Sequence, residues 1–260
     1  MNTQTRFEKG AALLAALNPQ ALGDLERNAG VLAPDLVKTM VEFAYGDVLS
    51  KPGLDLKSRQ IATVAALAGL GNAPAQLAFH LGASLNIGLS PEDMVEVMYL
   101  VAVFAGFPAA LNGLFTAREV FAARDLTLKA VKSPAASTEE RRGRGLKALG
   151  ATSGKAGVEV IESLRNVAPD MPEFLLEFSY GDVIARPGLS PKHKEIVMIA
   201  VSAARGTMRP QLKVHLKAGL AVGLTKEEMI EILVQMAVYA GFPAALNALG
   251  AAREAFAEAS

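Results

Sequence analysis

The sequence predicts an all-α fold in which a tandem duplication gives two helical units related by a pseudo-two-fold axis. Residues that favour helices (Ala, Leu, Glu, Lys and Met) dominate the chain, and no segment alternates polar and apolar residues as a β-strand does. Helix-capping sequences recur along the chain. Two long motifs also occur twice, and their copies are 135 residues apart in both cases.

The duplication is clearest in these two motifs. One is FAYGDV at residues 43–48, which returns as FSYGDV at residues 178–183. The other is AGFPAALN at residues 105–112, which returns unchanged at residues 240–247. With this offset held and no gap, about half of the positions between 42 and 122 are identical in the second copy.

Two similar units and a connection between them are therefore expected. We place repeat 1 at residues 1–125, a linker at 126–139 and repeat 2 at 140–260. The sequence KSPAAS at residues 132–137 is typical of a short connection, because Ser and Pro disfavour helix continuation.

Capping residues locate the ends of the expected helices. Thr225 and Glu228 form a capping box, in which each side chain satisfies a free backbone amide near the other residue. Ser90 is the counterpart in repeat 1, and Pro91 follows it at a first helical position. Gly88 stands where the preceding helix needs a left-handed C-terminal residue. Helices are expected near residues 33–48, 56–70, 74–87, 91–105 and 108–124, and at the same positions plus 135.

Composition excludes several classes of function. The 26 basic and 26 acidic residues give a net charge of zero, so no basic surplus exists to neutralise the phosphates of a nucleic acid. The chain contains no Cys, which removes disulfides, iron–sulfur clusters and thiol-based peroxidase chemistry. Three His leave little material for a His-rich metal site. The N-terminus lacks the pattern of a signal peptide, and a cytoplasmic protein is expected.

Two long uncharged runs raise the alternative of membrane helices. Residues 61–91 and 97–117 contain no Asp, Glu, Lys or Arg. The counterpart of the first run in repeat 2, residues 196–226, carries several Lys and Arg, and each would cost about 2.5–3.5 kcal/mol at a bilayer centre. Equivalent helices should have equivalent surroundings, so we expect burial within the protein or between subunits and no membrane partner.

The order and spacing of the repeated motifs carry a family resemblance. The chain resembles the carboxymuconolactone decarboxylase family, which shares its fold with alkylhydroperoxidase D. The resemblance covers nearly all of both copies, including an Arg-x-x-x-Gly sequence near the start of each. In repeat 2 the motifs are YGDVIARPGL at 180–189, QLKVHL at 211–216, GLTKEEMIE at 223–231 and YAGFPAA at 239–245.

This resemblance implies two alkylhydroperoxidase D-like helical units that pack into ring-like oligomers. A tandem chain would then assemble as a homotrimer that forms a pseudo-hexameric ring. The decarboxylase for which the family is named removes carbon dioxide from a lactone dicarboxylate in aromatic catabolism. It uses neither a metal nor an organic cofactor. The resemblance thus implies a lyase with a small lactone or carboxylate as its partner, no cofactor and no metal site.

The candidate catalytic residues are His80 and His215, which align in the duplication and match the family's His. Each borders the apolar stripe of its helix, and a half-buried imidazole that titrates near neutral pH is typical of a general acid or base. A structural His bonded to backbone is the alternative. Gln76 and Gln211 precede the two His by four residues, on the same helix face, and are expected to orient the imidazoles or to bind substrate.

The two Gln depart from the family pattern. The decarboxylases typically have Glu at this position, and the peroxidase relatives have the second Cys of a Cys-x-x-Cys pair. Gln takes up no proton at pH 7 and supplies no thiolate, so peroxidase activity of the family type is excluded.

Four further residues are candidates for substrate binding. Arg59 aligns with a basic residue expected in the family's second helix, and Lys194 is its counterpart in repeat 2. A guanidinium binds a carboxylate in bidentate fashion, whereas Lys offers a point charge. Arg209 would strengthen the attraction for an anion in repeat 2, and Tyr239, which aligns with Phe104, would supply a phenolic donor in that copy alone.

Two interpretations of function stay open from the sequence. The first is cofactor-independent decarboxylation, or related proton transfer, at the two His. The second is a non-catalytic member that binds a small molecule or serves in assembly, since both copies lack the typical Glu. Glu96 and Glu231, which also align, are interpreted first as structural ion-pair residues and second as a catalytic replacement.

Overall fold

The computed structural model describes residues 4–129 and 136–258, and within these ranges the chain is helical with no strand. Residues 130–135 of the predicted linker lie outside the described part. Repeat 1 contains α1 (Arg6–Leu17), α2 (Ala21–Leu25), α3 (Pro34–Met40), α4 (Leu56–Leu70), α5 (Pro74–Asn86), α6 (Pro91–Ala105) and α7 (Phe107–Ala122). Repeat 2 contains α8 (Thr138–Thr152), α9 (Gly154–Leu164), α10 (Met171–Phe174), α11 (Pro191–Arg205), α12 (Arg209–Ala221), α13 (Lys226–Tyr239) and α14 (Phe242–Glu258).

Three π-helical segments extend this set. Glu26–Gly30 continues α2, Val41–Leu49 continues α3, and Leu175–Ile184 continues α10. The expected helices are confirmed to within a few residues at each end, and the all-α duplicated fold is confirmed with them. The helices α1, α2, α8 and α9 were not placed individually from the sequence.

The Arg-x-x-x-Gly sequence at each repeat's start fixes the first helix against a π-helical segment. Arg6 pairs with Asp47 in repeat 1, and Arg141 pairs with Asp182 in repeat 2. The glycine allows the close approach: a Cβ added to Gly10 would lie 2.2 Å from the carbonyl oxygen of Val41, inside contact distance. Both repeats therefore hold their first helix over the segment that follows their third.

The two repeats share one hydrophobic core. The central helices α4 and α11 pack against each other across the boundary between repeats, and residues 58–69 of α4 are buried throughout. A Cβ added to Gly69 would lie 2.9 Å from the Val201 side chain, which shows how closely the two helices approach. The first part of the uncharged run, residues 61–69, is thus explained by burial inside the protein.

The uncharged runs do not form membrane spans. Each is divided among two helices, and no helix in residues 4–129 or 136–258 is long and apolar enough to cross a bilayer.

Candidate functional site

The histidine of repeat 2 is held by a buried carboxylate from a neighbouring helix. His215 lies on α12, and its Nδ1 is 2.9 Å from Oε2 of Glu195 on α11. The exposed fractions of the two residues are 5% and 1%. Because the imidazole and the carboxylate are joined by a hydrogen bond in a buried site, they form a pair suited to general acid–base chemistry.

The second oxygen of this carboxylate is free. Glu195 Oε1 is buried and has no hydrogen-bond partner among the described residues. A buried carboxylate oxygen without a donor carries a large desolvation cost, so a hydrogen-bond donor from water or a ligand would be favourable at this atom.

Glu195 also lines a cavity of about 530 Å³. One face of α8 forms one wall, and the opposite wall comes from α11, where Lys194, Glu195 and Met198 contribute. The lining is mostly apolar, with a few charged groups, as in sites for small organic ligands. His215 does not line this cavity and contacts it through Glu195.

The site of repeat 2 is completed by repeat 1. The ring of Phe104 from α6 meets the imidazole of His215 edge-on, with centroids 5.1 Å apart. This contact covers one side of His215 with an apolar group, and Glu195 is the polar partner of the imidazole among the described residues.

Repeat 1 arranges its histidine differently. His80 Nδ1 is 2.9 Å from Oε1 of Gln60, which occupies the position equivalent to Glu195. Gln60 is a neutral amide and exchanges no proton, and burial lowers the pKa of His80 to about 3. His80 is therefore a neutral imidazole at ordinary pH, and its partner is a side-chain amide, not the backbone group that the structural alternative assumed.

Repeat 1 also differs in its packing at the equivalent place. Ala148 and Thr152 line the cavity in repeat 2, and their counterparts on α1 are Leu13 and Leu17. Leu17 is completely buried in a core cluster, and Leu13 packs against that cluster. Larger side chains thus fill in repeat 1 the volume that repeat 2 leaves open.

Tyr239 lies beside the histidine of repeat 1, not that of repeat 2. Its ring meets His80 edge-on, with centroids 5.2 Å apart. Burial raises the pKa of the Tyr239 phenol above its usual value. The expected phenolic donor is therefore placed at the closed site, and the open site has Phe104 in its place.

Arg59 is engaged in an ion pair that crosses between repeats. Its guanidinium is completely buried, lies 2.8 Å from Oε2 of Glu231, and also donates to the carbonyl oxygens of Lys51 and Leu54. A substrate carboxylate could bind Arg59 only by displacing these partners. The guanidinium of Arg59 is thus occupied in joining the two repeats.

Glu96, the counterpart of Glu231, forms a second ion pair between the repeats, with an arginine that aligns with Lys51. Arg186 contacts Glu96 at 2.6 Å, both are buried, and the guanidinium stacks on Tyr99. The interpretation of Glu96 and Glu231 as structural ion-pair residues is confirmed.

Lys194 has a position at the cavity wall. Its ammonium donates to the carbonyl oxygens of Ile184 and Arg186, and burial lowers its pKa below the usual value. It contributes positive charge to the cavity while its donors are partly occupied.

Three predicted residues lie away from the Glu195–His215 pair. Gln76 and Gln211 are exposed, and each histidine receives its hydrogen-bond partner from the preceding helix, not from these residues one turn earlier. Arg209 pairs with Glu254 and lines a separate cavity of about 200 Å³ against α14. The expectation that Gln76 and Gln211 orient the imidazoles is therefore corrected.

Glu195 was missed from the sequence. It is paired with Gln60 by the duplication and precedes nine uncharged residues, Ile196–Ala204, in α11. An acid at the start of an otherwise apolar buried helix is the signal that would have drawn attention to it.

Comparisons with known proteins agree with the fold and with the duplication. The model of the carboxymuconolactone decarboxylase family matches residues 34–119 and again residues 169–254. The chain is similar over 96% of its length to the crystal structure of a protein assigned as a gamma-carboxymuconolactone decarboxylase subunit from Burkholderia xenovorans. That match has a TM-score of 0.60 and 29% sequence identity, and it covers 98% of the other chain.

Two curated relatives carry names of decarboxylases. The chain is 34% identical over 119 residues to a 4-carboxymuconolactone decarboxylase from Acinetobacter baylyi, across 45% of this chain and 88% of that protein. It is 29% identical over 93 residues to a nitrosuccinic acid decarboxylase from Metarhizium robertsii, across 36% of this chain and 64% of that protein.

Proposed function

The chain belongs to the carboxymuconolactone decarboxylase family, and from this premise we propose that repeat 2 is a cofactor-independent decarboxylase site for a small lactone or carboxylate. The observation that carries the proposal is the Glu195–His215 hydrogen bond beside a cavity of about 530 Å³. The names of the relatives from Acinetobacter baylyi and Metarhizium robertsii support the reaction class.

Decarboxylation requires an electron sink on the substrate and a proton donor. When the bond to the carboxylate breaks, carbon dioxide leaves and the electron pair stays on carbon. A conjugated carbonyl or a nitro group on the substrate takes up this pair, and a positioned acid then delivers a proton to that carbon. The Glu195–His215 pair holds one proton between two groups and regains it from solvent after each turnover.

Glu195 is the member of the pair that meets the substrate. It lines the cavity and has a free oxygen, whereas His215 lies behind it against Phe104. We therefore assign proton delivery to Glu195 and its positioning to His215. This changes the sequence hypothesis, in which His215 itself was the acid.

The proposal is tested by turnover of two probes, 4-carboxymuconolactone and nitrosuccinic acid, followed as release of carbon dioxide. We expect the wild-type protein to decarboxylate at least one, Glu195→Gln and His215→Ala to lose the activity, and Gln76→Ala, an exposed control, to retain it. Wild-type rates in His215→Ala, or binding of both probes without turnover, would reject the proposal, the latter in favour of a non-catalytic binding protein.

We also propose the homotrimer that the family resemblance implies, with residues of α7 and α14 at its interfaces. Phe107, Leu111 and Phe115 recur every four residues on one face of α7 and are exposed, and Phe242 and Leu246 repeat the pattern on α14. Exposed apolar stripes of this kind are typical of interfaces. Light scattering should give three times the chain mass of 27.2 kDa, and a monomer would contradict the trimer.

A further inference from the structure

The wall of the cavity that α8 contributes lies outside the segments that match the family model, the second of which begins at residue 169. The lining side chains of this helix follow helical spacing, so they form one continuous face. They are Arg144, Lys147, Ala148, Ala151 and Thr152. The helix that forms this wall, α8, therefore belongs to the start of the repeat, before the segment that the family model matches.

The cationic residues that line the cavity differ in how far their hydrogen-bond donors are occupied by other residues. Arg144 lies 3.6 Å from the carboxylate of Asp182 and donates to the carbonyl oxygen of Gly181. Lys194, on the opposite wall, donates to two carbonyl oxygens. Lys147 is exposed and has no ion pair or hydrogen bond with any residue in the described part of the chain. Among the cationic residues that line the cavity, Lys147 is therefore the one whose donors are not occupied by other described residues.

Repeat 1 supports a role for this lysine beyond solubility. Its counterpart on α1 is Ala12, and repeat 1 has leucines where the cavity opens in repeat 2. The cation is present in the copy that has the cavity and absent from the copy that lacks it.

We propose that Lys147 is a specificity-determining residue that binds the carboxylate which a dicarboxylate substrate keeps after decarboxylation. This inference rests on the proposed function, since it assigns the two ends of the same site. Proton delivery takes place at Glu195, and a second carboxylate in this mostly apolar cavity needs a cation and water. An ammonium at the exposed edge supplies the charge while leaving the carboxylate partly hydrated.

The test measures equilibrium binding of 4-carboxymuconolactone by calorimetry in the Glu195→Gln background, where the probe stays intact. Repeat 1 carries Gln at the equivalent position with the same hydrogen bond to its histidine, so this substitution preserves the local geometry. We compare the background with added Lys147→Ala and with added Lys155→Ala. Lys155 is 92% exposed on α9 and does not line the cavity.

Lys147→Ala should weaken binding about tenfold, because a hydrogen bond to a charged group is lost. The effect should shrink at high salt, and Lys155→Ala should leave the affinity unchanged. In the active protein, Lys147→Ala should raise KM about tenfold with little change in kcat, as loss of uniform binding does. Equal affinity with and without Lys147, or no binding at all, would overturn the inference.

The two proposals fail in different ways. A wild-type protein that binds the probe through Lys147 and never releases carbon dioxide would sink the decarboxylase function and leave the binding assignment intact. A wild-type protein that turns over the probe with a KM indifferent to Lys147→Ala would do the reverse.

Discussion

Repeat 1 and repeat 2 have the same helical scaffold around their histidines and differ in two features at once. Repeat 2 pairs His215 with a carboxylate and leaves a cavity beside it. Repeat 1 pairs His80 with the amide of Gln60 and fills the corresponding volume with leucine. A site of this kind needs both a group that exchanges a proton and room for a ligand. The comparison shows that the histidine shared by both copies is not what distinguishes them.

The largest expected effect comes from changing Glu195, the residue by which the two histidine sites differ. Glu195→Gln should lower kcat about 10³-fold, because the pair loses the group that carries the proton. The matched change in repeat 1, Gln60→Glu, should create no second active site, since leucine side chains fill the equivalent volume. Initial rates with the probe substrates measure both variants. Equal loss of activity from a change at Gln60 would show that repeat 1 is catalytic as well.

The buried ion pairs between the repeats should contribute more to the free energy of unfolding than the half-exposed pairs do. Glu231→Ala leaves the buried Arg59 guanidinium without its carboxylate and should lower the free energy of unfolding by about 3–5 kcal/mol. Glu173→Ala breaks a half-exposed pair with Arg142 and should cost about 1 kcal/mol or less. Urea unfolding of both variants provides the measurement. Similar costs would mean that the inter-repeat pair is no more than a surface contact.

Exchanging the packing residues tests whether space limits activity. Thr152→Leu installs the side chain of repeat 1 in the cavity of repeat 2, and kcat/KM should fall about 10²-fold as the ligand is excluded. The reverse change, Leu17→Thr, should cost about 2–4 kcal/mol of stability without opening a productive site, because it leaves a hole in a packed core. Steady-state kinetics and urea titration follow the two effects. Undiminished kcat/KM in Thr152→Leu would place the substrate elsewhere.

The last expected effect is a pH dependence of the free energy of unfolding that comes from the closed repeat. The folded-state pKa of His80 is lowered to about 3 by burial, whereas the unfolded chain binds the proton near pH 6.5. The unfolded state therefore binds more protons between these values, and stability decreases as pH falls through that window, by about 1.4 kcal/mol per pH unit. Urea midpoints at pH 6.5 and 4.5 should differ more in the wild type than in His80→Asn. The same pH dependence in both proteins would mean that His80 takes up a proton in the folded state.

The helical scaffold could be predicted largely because its signals are local. Capping boxes at Ser90 and Thr225 place helix starts within a few residues, and both form in the structure. The duplication then transferred each assignment to the other repeat. Local spacing was a poor guide to the histidines, because it directed attention to Gln76 and Gln211 on the same helix. The true partners stand twenty residues earlier on a neighbouring helix, where only helix packing brings them within bonding distance.

The sequence by itself determined that the protein is all-α, duplicated and thiol-free, since helix periodicity, repeated motifs and composition are properties of neighbouring or countable residues. The tertiary structure decided which copy has a cavity beside the hydrogen-bond partner of its histidine, and which side chains line that cavity. Phe104 reaches His215 and Tyr239 reaches His80 across the repeat boundary, and the cavity exists because Ala148 and Thr152 are small where Leu13 and Leu17 are large. Volume and contact depend on how whole helices pack against one another, so they emerge only when the chain is folded.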